Sequence, residues 1–300
     1  MKKLKISALN VSVIIPTYNS AQTINRAIKS VQVQEKCLLE IILVDNGSID
    51  ETLGVVSSIN DERLIILNEE KKGAPFARNR GLKEAKGKYI QFLDADDALL
   101  PGKLKFQIEL CSEYNLDLLV GSYKSIEPGG SEIITYIDKN ISNWLNLFQG
   151  GLGNTVSNLW RKDMLERIGG WNENASSSQE ADLMFRFLKE KAHVGIDETI
   201  STVIFKDAHN RISDTNQLLN AVRFYELRLA MLDWIDINQE NELKSNVESY
   251  SKSLFHALMS IRKYSRIESQ KQFEMTKSNY WNGLSLRDRI KIFTFFTLSI

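Results

Sequence analysis

Apolar and polar positions along this chain fall into two alternating rhythms. Val11 to Pro16, Glu40 to Val44, Arg63 to Leu67 and Tyr89 to Leu93 are short apolar runs rich in β-branched and aromatic residues. The first, second and last read as buried strands, as in a parallel sheet, and Arg63 to Leu67 as a further strand. Between them, apolar residues recur at helical spacing. Ile24, Ala27, Ile28 and Val31 form one stripe behind Ser20, a candidate helix cap; a short helix opens at Asp50-Glu51-Thr52; Ala77, Leu82 and Ala85 form another stripe after Gly73. This alternation predicts an α/β fold with a mostly parallel central sheet and flanking helices.

Beyond residue 100 the elements shorten. A helix is expected from Pro101 to about Tyr114, strands over Leu116–Tyr123, Glu132–Ile137 and Thr155–Trp160, and helices over Ile141–Phe148 and Lys162–Ile168. Ser176 to Ser178 lead into a helix with Leu183, Met184, Phe187 and Leu188 as its apolar face, and strands near His193 and Thr199 to Phe205 follow. After about Ser213 glycine and proline nearly vanish. Leu218, Val222, Tyr225, Leu229 and Leu232 then recur at helical spacing, and 253–264 and 288–298 also read as helices. The expected organisation is one α/β domain over 1–213 and a helical region over 214–300.

Polar residues gather after each early strand, at Thr17 to Asn19, Asp45 to Ser48 and Asp94 to Asp97. Open α/β sheets bind ligands outside the carboxyl ends of their strands, so these clusters are expected to share one crevice. The last cluster holds three carboxylates, Asp94, Asp96 and Asp97. Crowded carboxylates repel, and oxygen-only ligands suit a hard cation such as Mg²⁺ or Mn²⁺ carrying substrate phosphates. The plainer alternative is an acidic turn capping the next helix. In the same way, Glu180 and Asp182 in the first turn of their helix complement its dipole without any further role.

Bulk properties narrow the field. The chain has 300 residues, zero formal net charge and 25% charged residues, so nothing global points to nucleic acid. Cys37 and Cys111 form no CxxC pair and read as reduced residues of a cytoplasmic protein. Gly150, Gly151 and Gly153 lack the GxGxxG spacing of a dinucleotide site. The first ten residues carry lysines without an apolar core, unlike a secretory signal, and no window matches a membrane span.

In order, the motifs are Val13-Ile14-Ile15-Pro16-Thr17-Tyr18-Asn19, Val44-Asp45-Asn46-Gly47-Ser48, Gly73 with Ala77-Arg78-Asn79 and Gly81, Phe92-Leu93-Asp94-Ala95-Asp96-Asp97, Gly169-Gly170-Trp171, and Gln179-Glu180 with Arg186. This order resembles the family-two glycosyltransferases with the A-type nucleotide-sugar fold, over roughly residues 10–213. The resemblance implies a nucleoside-diphosphate-sugar donor, a glycan or lipid-linked acceptor, a divalent metal at a DXD-type motif, and a place in glycan or polysaccharide assembly. It implies that Pro16, Thr17 and Tyr18 hold the base, that Asp45 bonds it, and that Arg78 meets base or phosphate. Asp96 would reach ribose or metal and Asp97 the metal. Glu180 stands where the family places its catalytic base, more often an aspartate, and His209 resembles a histidine near the diphosphate. One base opposite one leaving group implies inversion.

Two other readings stay open at this stage: a catalytically inactive nucleotide-sugar-binding module and a sugar-nucleotide pyrophosphorylase. The Gln-x-x-Arg-Trp motif of processive synthases is absent, so one sugar per encounter is expected. From 262 onward eight basic residues face three acidic ones among apolar positions such as Ile290, Phe293 and Phe296. That stretch is expected either to rest on the inner membrane face or to dock on the domain or on a second copy of the chain.

Overall fold

Alternation explains how the apolar runs serve two layers at once. The computed structural model describes residues 10–35, 37–206, 216–280 and 284. β1 (Val11–Thr17), α1 (Ile24–Gln32), β2 (Leu39–Asp45), α2 (Thr52–Ser57) and β3 (Leu64–Asn68) lead to α3 (Ala74–Glu84) and β4 (Tyr89–Phe92). Val11, Val13 and Ile15 of β1 and Leu39, Ile41 and Leu43 of β2 join the helical stripe Ile24, Ala27, Ile28 and Val31 in one core. The intervening Ile14 and Val44 face the opposite way, onto α3. A Cβ on Gly81 would lie 2.5 Å from Ile14 Cγ2, so glycine lets α3 seat directly on the sheet.

The chain continues through β5 (Ala98–Leu99), α4 (Lys103–Glu113), β6 (Leu118–Gly121), β7 (Tyr123–Ile126), β8 (Glu132–Thr135), α5 (Asn143–Gln149), β9 (Leu159–Arg161), α6 (Lys162–Arg167), α7 (Gln179–Lys189), β10 (Val194–Asp197) and β11 (Thr202–Phe205). A seven-stranded sheet has the order β10-β6-β9-β4-β1-β2-β3. Only β9 runs antiparallel to its neighbours, β4 and β6. A smaller sheet has the order β5-β11-β7-β8.

Three expectations need correction. The run Leu116 to Tyr123 is two strands in two sheets, broken at the buried Ser122. The Ser122 N–H donates to Asp197 O, and its hydroxyl accepts from the Ile137 N–H. In place of a strand over Thr155–Trp160, Asn154 holds a turn by accepting from the Val156 N–H, and pairing starts only at Leu159. Ser20 does not cap α1 through its side chain: its hydroxyl donates to Tyr18 O, and its carbonyl accepts from Ile24 N–H at 2.9 Å.

Contacts divide the chain into two compact units, Met1–Lys139, Leu152–Ala175 and Arg186–Ala208 against Asn140–Gly151, Ser176–Phe185 and His209–Ile300. Both sheets lie in the first. The second contains α5, α8 (Gln217–Asn238), α9 (Glu240–Arg262) and α10 (Arg266–Tyr280). There Trp144 stacks on Trp234 at 4.8 Å, Phe148 meets Tyr250 edge-on, and Phe255 meets Phe273. The predicted helix over 288–298 lies outside the described residues.

Candidate active site

The sheet order decides where the polar clusters go. β1 leads outward to β2 and β3; the chain then returns to place β4 on the other flank of β1. The direction of winding reverses between β1 and β4, and a crevice opens outside the strand ends at such a point. Thr17 pairs in register with Asp45, and Asp94 follows two residues after Phe92, which pairs with Ile14. All three clusters therefore meet at one end of adjacent parallel strands.

Backbone bonds lock the first two clusters together. Asn46 N–H donates to Thr17 O at 2.8 Å, Asn19 N–H to the Ser48 hydroxyl at 3.0 Å, and Ile49 N–H to Asn19 Oδ1 at 2.9 Å. Asp45 is buried, and its carboxylate accepts from the Gly47 and Ser48 N–H groups. Thr17 is buried, whereas the Tyr18 ring is 52% exposed and offers a flat face at the crevice mouth.

Neither pattern nor resemblance drew attention to residues 69–72, just before Gly73. Asn46 organises them, donating to Glu69 O and Lys71 O and accepting from Gly73 N–H. The Lys72 ammonium lands on Asn46 O and Gly47 O at 2.8 and 2.9 Å and lies 5.0 Å from the Tyr18 ring centroid. Gly47, at φ +76°, leaves the space that Lys72 fills.

The acidic turn is not one uniform cluster. Asp94 is half-exposed and pairs with Arg78 Nη2 at 2.8 Å, while the Arg78 guanidinium lies 4.5 Å over the Trp171 ring. Asp96 is exposed, and its carbonyl accepts from Arg26. Asp97 is buried, and Oδ1 accepts from Phe205 N–H at 2.9 Å. Burial first, then the charges of Asp94 and Asp96, hold its carboxyl well above the usual carboxylate range. Arg26 stacks at 3.7 Å on Phe205, beside the same carboxyl, and is a second contributor that the sequence reading missed. Arg78 and Arg26 are cations on helices that cover opposite faces of the sheet, a signal that becomes visible only once both reach the turn.

Among the described residues no group of three or more His, Cys, Asp or Glu side chains forms a ready-made metal cage. A cation that arrives with a diphosphate does not need one, because phosphate oxygens and water complete its shell around one or two carboxylates. Asp96 and Asp97 suit that partial role as oxygen donors, with Asp94 already paired with Arg78.

α7 carries Glu180 in its first turn. Helical spacing sets Glu180 on the face of Leu183, Met184 and Phe187, which are all buried. Asp182, two residues on, points elsewhere. His209 lies outside the described residues.

A family model described as glycosyl transferase family 2 matches residues 12–169. The chain belongs to glycosyltransferase family 2. That family is one of glycosyltransferases, which favours this reading over the pyrophosphorylase one. The UDP-Glc:α-D-GlcNAc-diphosphoundecaprenol β-1,3-glucosyltransferase WfgD of Escherichia coli is 40% identical over 117 residues, covering 39% of this chain and 46% of that protein. The chain spans between 36% and 48% of the length of three curated relatives that it matches. Staphylococcus aureus TarS 1–349, solved with UDP-GlcNAc, superposes with a TM-score of 0.66 at 21% identity, over 95% of this chain and 81% of that one. The mannosyltransferase PcManGT of Pyrobaculum calidifontis, solved with GDP-Man and Mn²⁺, gives 0.57 at 15% identity, over 99% and 91%. Both likenesses establish the fold: a mainly parallel sheet with flanking helices and further helices at the C-terminal side.

Proposed function

We propose that this glycosyltransferase moves one sugar per encounter from a nucleoside-diphosphate sugar to an acceptor hydroxyl, with inversion, in glycan or polysaccharide assembly. The observation that carries the reading is the meeting of Thr17–Tyr18, Asp45 and Asp94–Asp97 at the ends of adjacent parallel strands. In this reading Pro16, Thr17 and Tyr18 bracket the base, with the Tyr18 ring as its stacking face, and Asp45 bonds the base edge. Arg78 meets base or phosphate, Asp96 the ribose or the metal, and Asp97 the metal. His209 is assigned to the diphosphate on the resemblance alone. Mn²⁺ or Mg²⁺, when bound, neutralises the charge that builds on the leaving diphosphate.

Glu180 takes the proton from the acceptor hydroxyl as that oxygen attacks the anomeric carbon. The bond to the diphosphate breaks on the opposite side, and its electron pair leaves with the phosphate oxygen. WfgD is named for a lipid-linked acceptor, and we assign this chain an acceptor of that class, met at the inner membrane surface through 262–300. The test supplies UDP- and GDP-sugars with Mn²⁺ and a panel of glycan and lipid-linked acceptors. Product NMR then reads the anomeric configuration. Inverted product supports the reading; retained configuration, or equal turnover after exhaustive chelation, overturns the inverting or the metal-dependent part.

A further inference from the structure

We infer that Asn79 is a positioning residue for the nucleotide site, acting on Arg78 through the Gly169-Gly170-Trp171 turn. This rests on the reading of Arg78 as a nucleotide contact. Asn79 follows Arg78 on α3 and points at a segment 92 residues further along the chain. Its Nδ2 donates to Trp171 O at 2.9 Å, and its Oδ1 accepts from Trp171 N–H at 2.8 Å. A side-chain amide that answers both polar groups of one residue fixes that residue as a β-ladder partner would. Nδ2 also reaches Glu173 Oε1 at 3.1 Å.

The approach is tight enough to constrain the turn's sequence. Gly170 has φ +68°, and a Cβ there would sit 2.6 Å from Asn79 Oδ1. Arg186 holds the turn from its other side, donating from Nη1 to Ile168 O at 2.9 Å and to Gly170 O at 2.7 Å. Trp171 is thereby buried edge-on against Phe92 at 5.2 Å, and its face lies under the Arg78 guanidinium at 4.5 Å. The ring face attracts the cation and limits where it swings, leaving Nη2 on Asp94. The order of action is Asn79 to Trp171 to Arg78. It joins two segments far apart in sequence, 77–79 and 169–171, at one site.

The full chain is tested by binding and by NMR. Isothermal titration with UDP and Mn²⁺ compares the parent with Asn79→Ala, Arg78→Ala and the double variant. Nitrogen-15 spectra of the ligand-free protein follow the Arg78 Nε–H signal. We expect each single variant to weaken UDP about tenfold, the double variant to be no weaker than Arg78→Ala, and the Arg78 signal to lose protection in Asn79→Ala. Trp171→Leu, which keeps apolar volume but removes the ring, gives the same pattern by a second route if Asn79→Ala fails to fold. If Arg78→Ala binds UDP like the parent, the reading of Arg78 falls, and the inference with it. If Arg78→Ala weakens binding while Asn79→Ala does not, or the losses add, the inference alone falls. An unchanged Arg78 signal in folded Asn79→Ala overturns it without any nucleotide.

Discussion

Asp97 is where stability and proposed function conflict. Its carboxyl is buried beside Asp94 and Asp96, which penalises the ionised form a metal needs. The folded-state pKa lies above the unfolded one, so the contribution of Asp97 to stability is full below the unfolded value of about 4 and is lost as pH rises toward the folded value. Asp97→Asn keeps an oxygen to accept the Phe205 N–H. The metal-free variant should therefore melt above the parent, by a margin that widens from pH 5 to pH 8, and should lose Mn²⁺-dependent UDP binding. A variant that melts lower would mean that ionising Asp97 in the fold costs little, and one that binds UDP with Mn²⁺ as the parent does would remove Asp97 from the metal's partners. Glu180 is tested by rate. Glu180→Gln keeps the shape and should cut transfer by about 10²–10⁴-fold with donor affinity unchanged, whereas Asp182→Asn should cost far less. The reverse order of losses would move the base to Asp182.

Among elements, the turn after α6 and the buried side of α4 make the sharpest claims. Gly169 and Gly170 both have positive φ, so alanine at either carries a backbone cost of roughly 1–2 kcal/mol. A Cβ at Gly169 meets nothing within 4 Å, while at Gly170 it meets Asn79. Urea melts should show Gly170→Ala distinctly less stable than Gly169→Ala; equal losses would mean the Asn79 contact is slack. On α4, Lys103 is fully enclosed, with its ammonium on Gln91 Oε1 and Gln107 Oε1 at 2.6 Å each and Asp197 close by. Burial pushes its pKa down to about 7. Between that value and the unfolded value of about 10.4, the unfolded chain holds the extra proton, so stability rises with pH across the window. Relative to Lys103→Met, the parent should gain stability from pH 7 to pH 10, by up to about 1.4 kcal/mol per pH unit. A flat difference would place Lys103 in contact with water.

For the whole molecule, the C-terminal stretch makes the testable claim. Among the described residues no helix is long and apolar enough to cross a membrane. α10 buries Phe273 and Ser269, and Ser269 donates to Leu258 O on α9, so this part of the basic stretch is packed within its own unit. The proposed lipid surface then falls to 285–300, which lie outside the described residues. The full chain should float with anionic vesicles at low salt and be released at high salt, and deleting 285–300 should abolish flotation. No flotation at low salt would leave docking on the chain or on a second copy.

The apolar rhythm alone determined the parallel sheet, because runs such as Val11–Pro16 suit only a strand covered on both faces. It also placed Asp45 and Asp94 at strand ends, where ligands collect. Local pattern erred where long-range pairing decided the outcome: at Ser122, where one apolar run serves two sheets, and at Thr155, where Asn154 holds a turn. It could not separate three neighbouring aspartates into one paired with Arg78, one exposed and one buried, since that depends on which helices pack beside them. Lys72 and Arg26 were silent, and Asn79 stood in a motif without a role, for the same reason. Their partners lie 25 or more residues away, and only the folded chain brings a polar tip to a distant carbonyl.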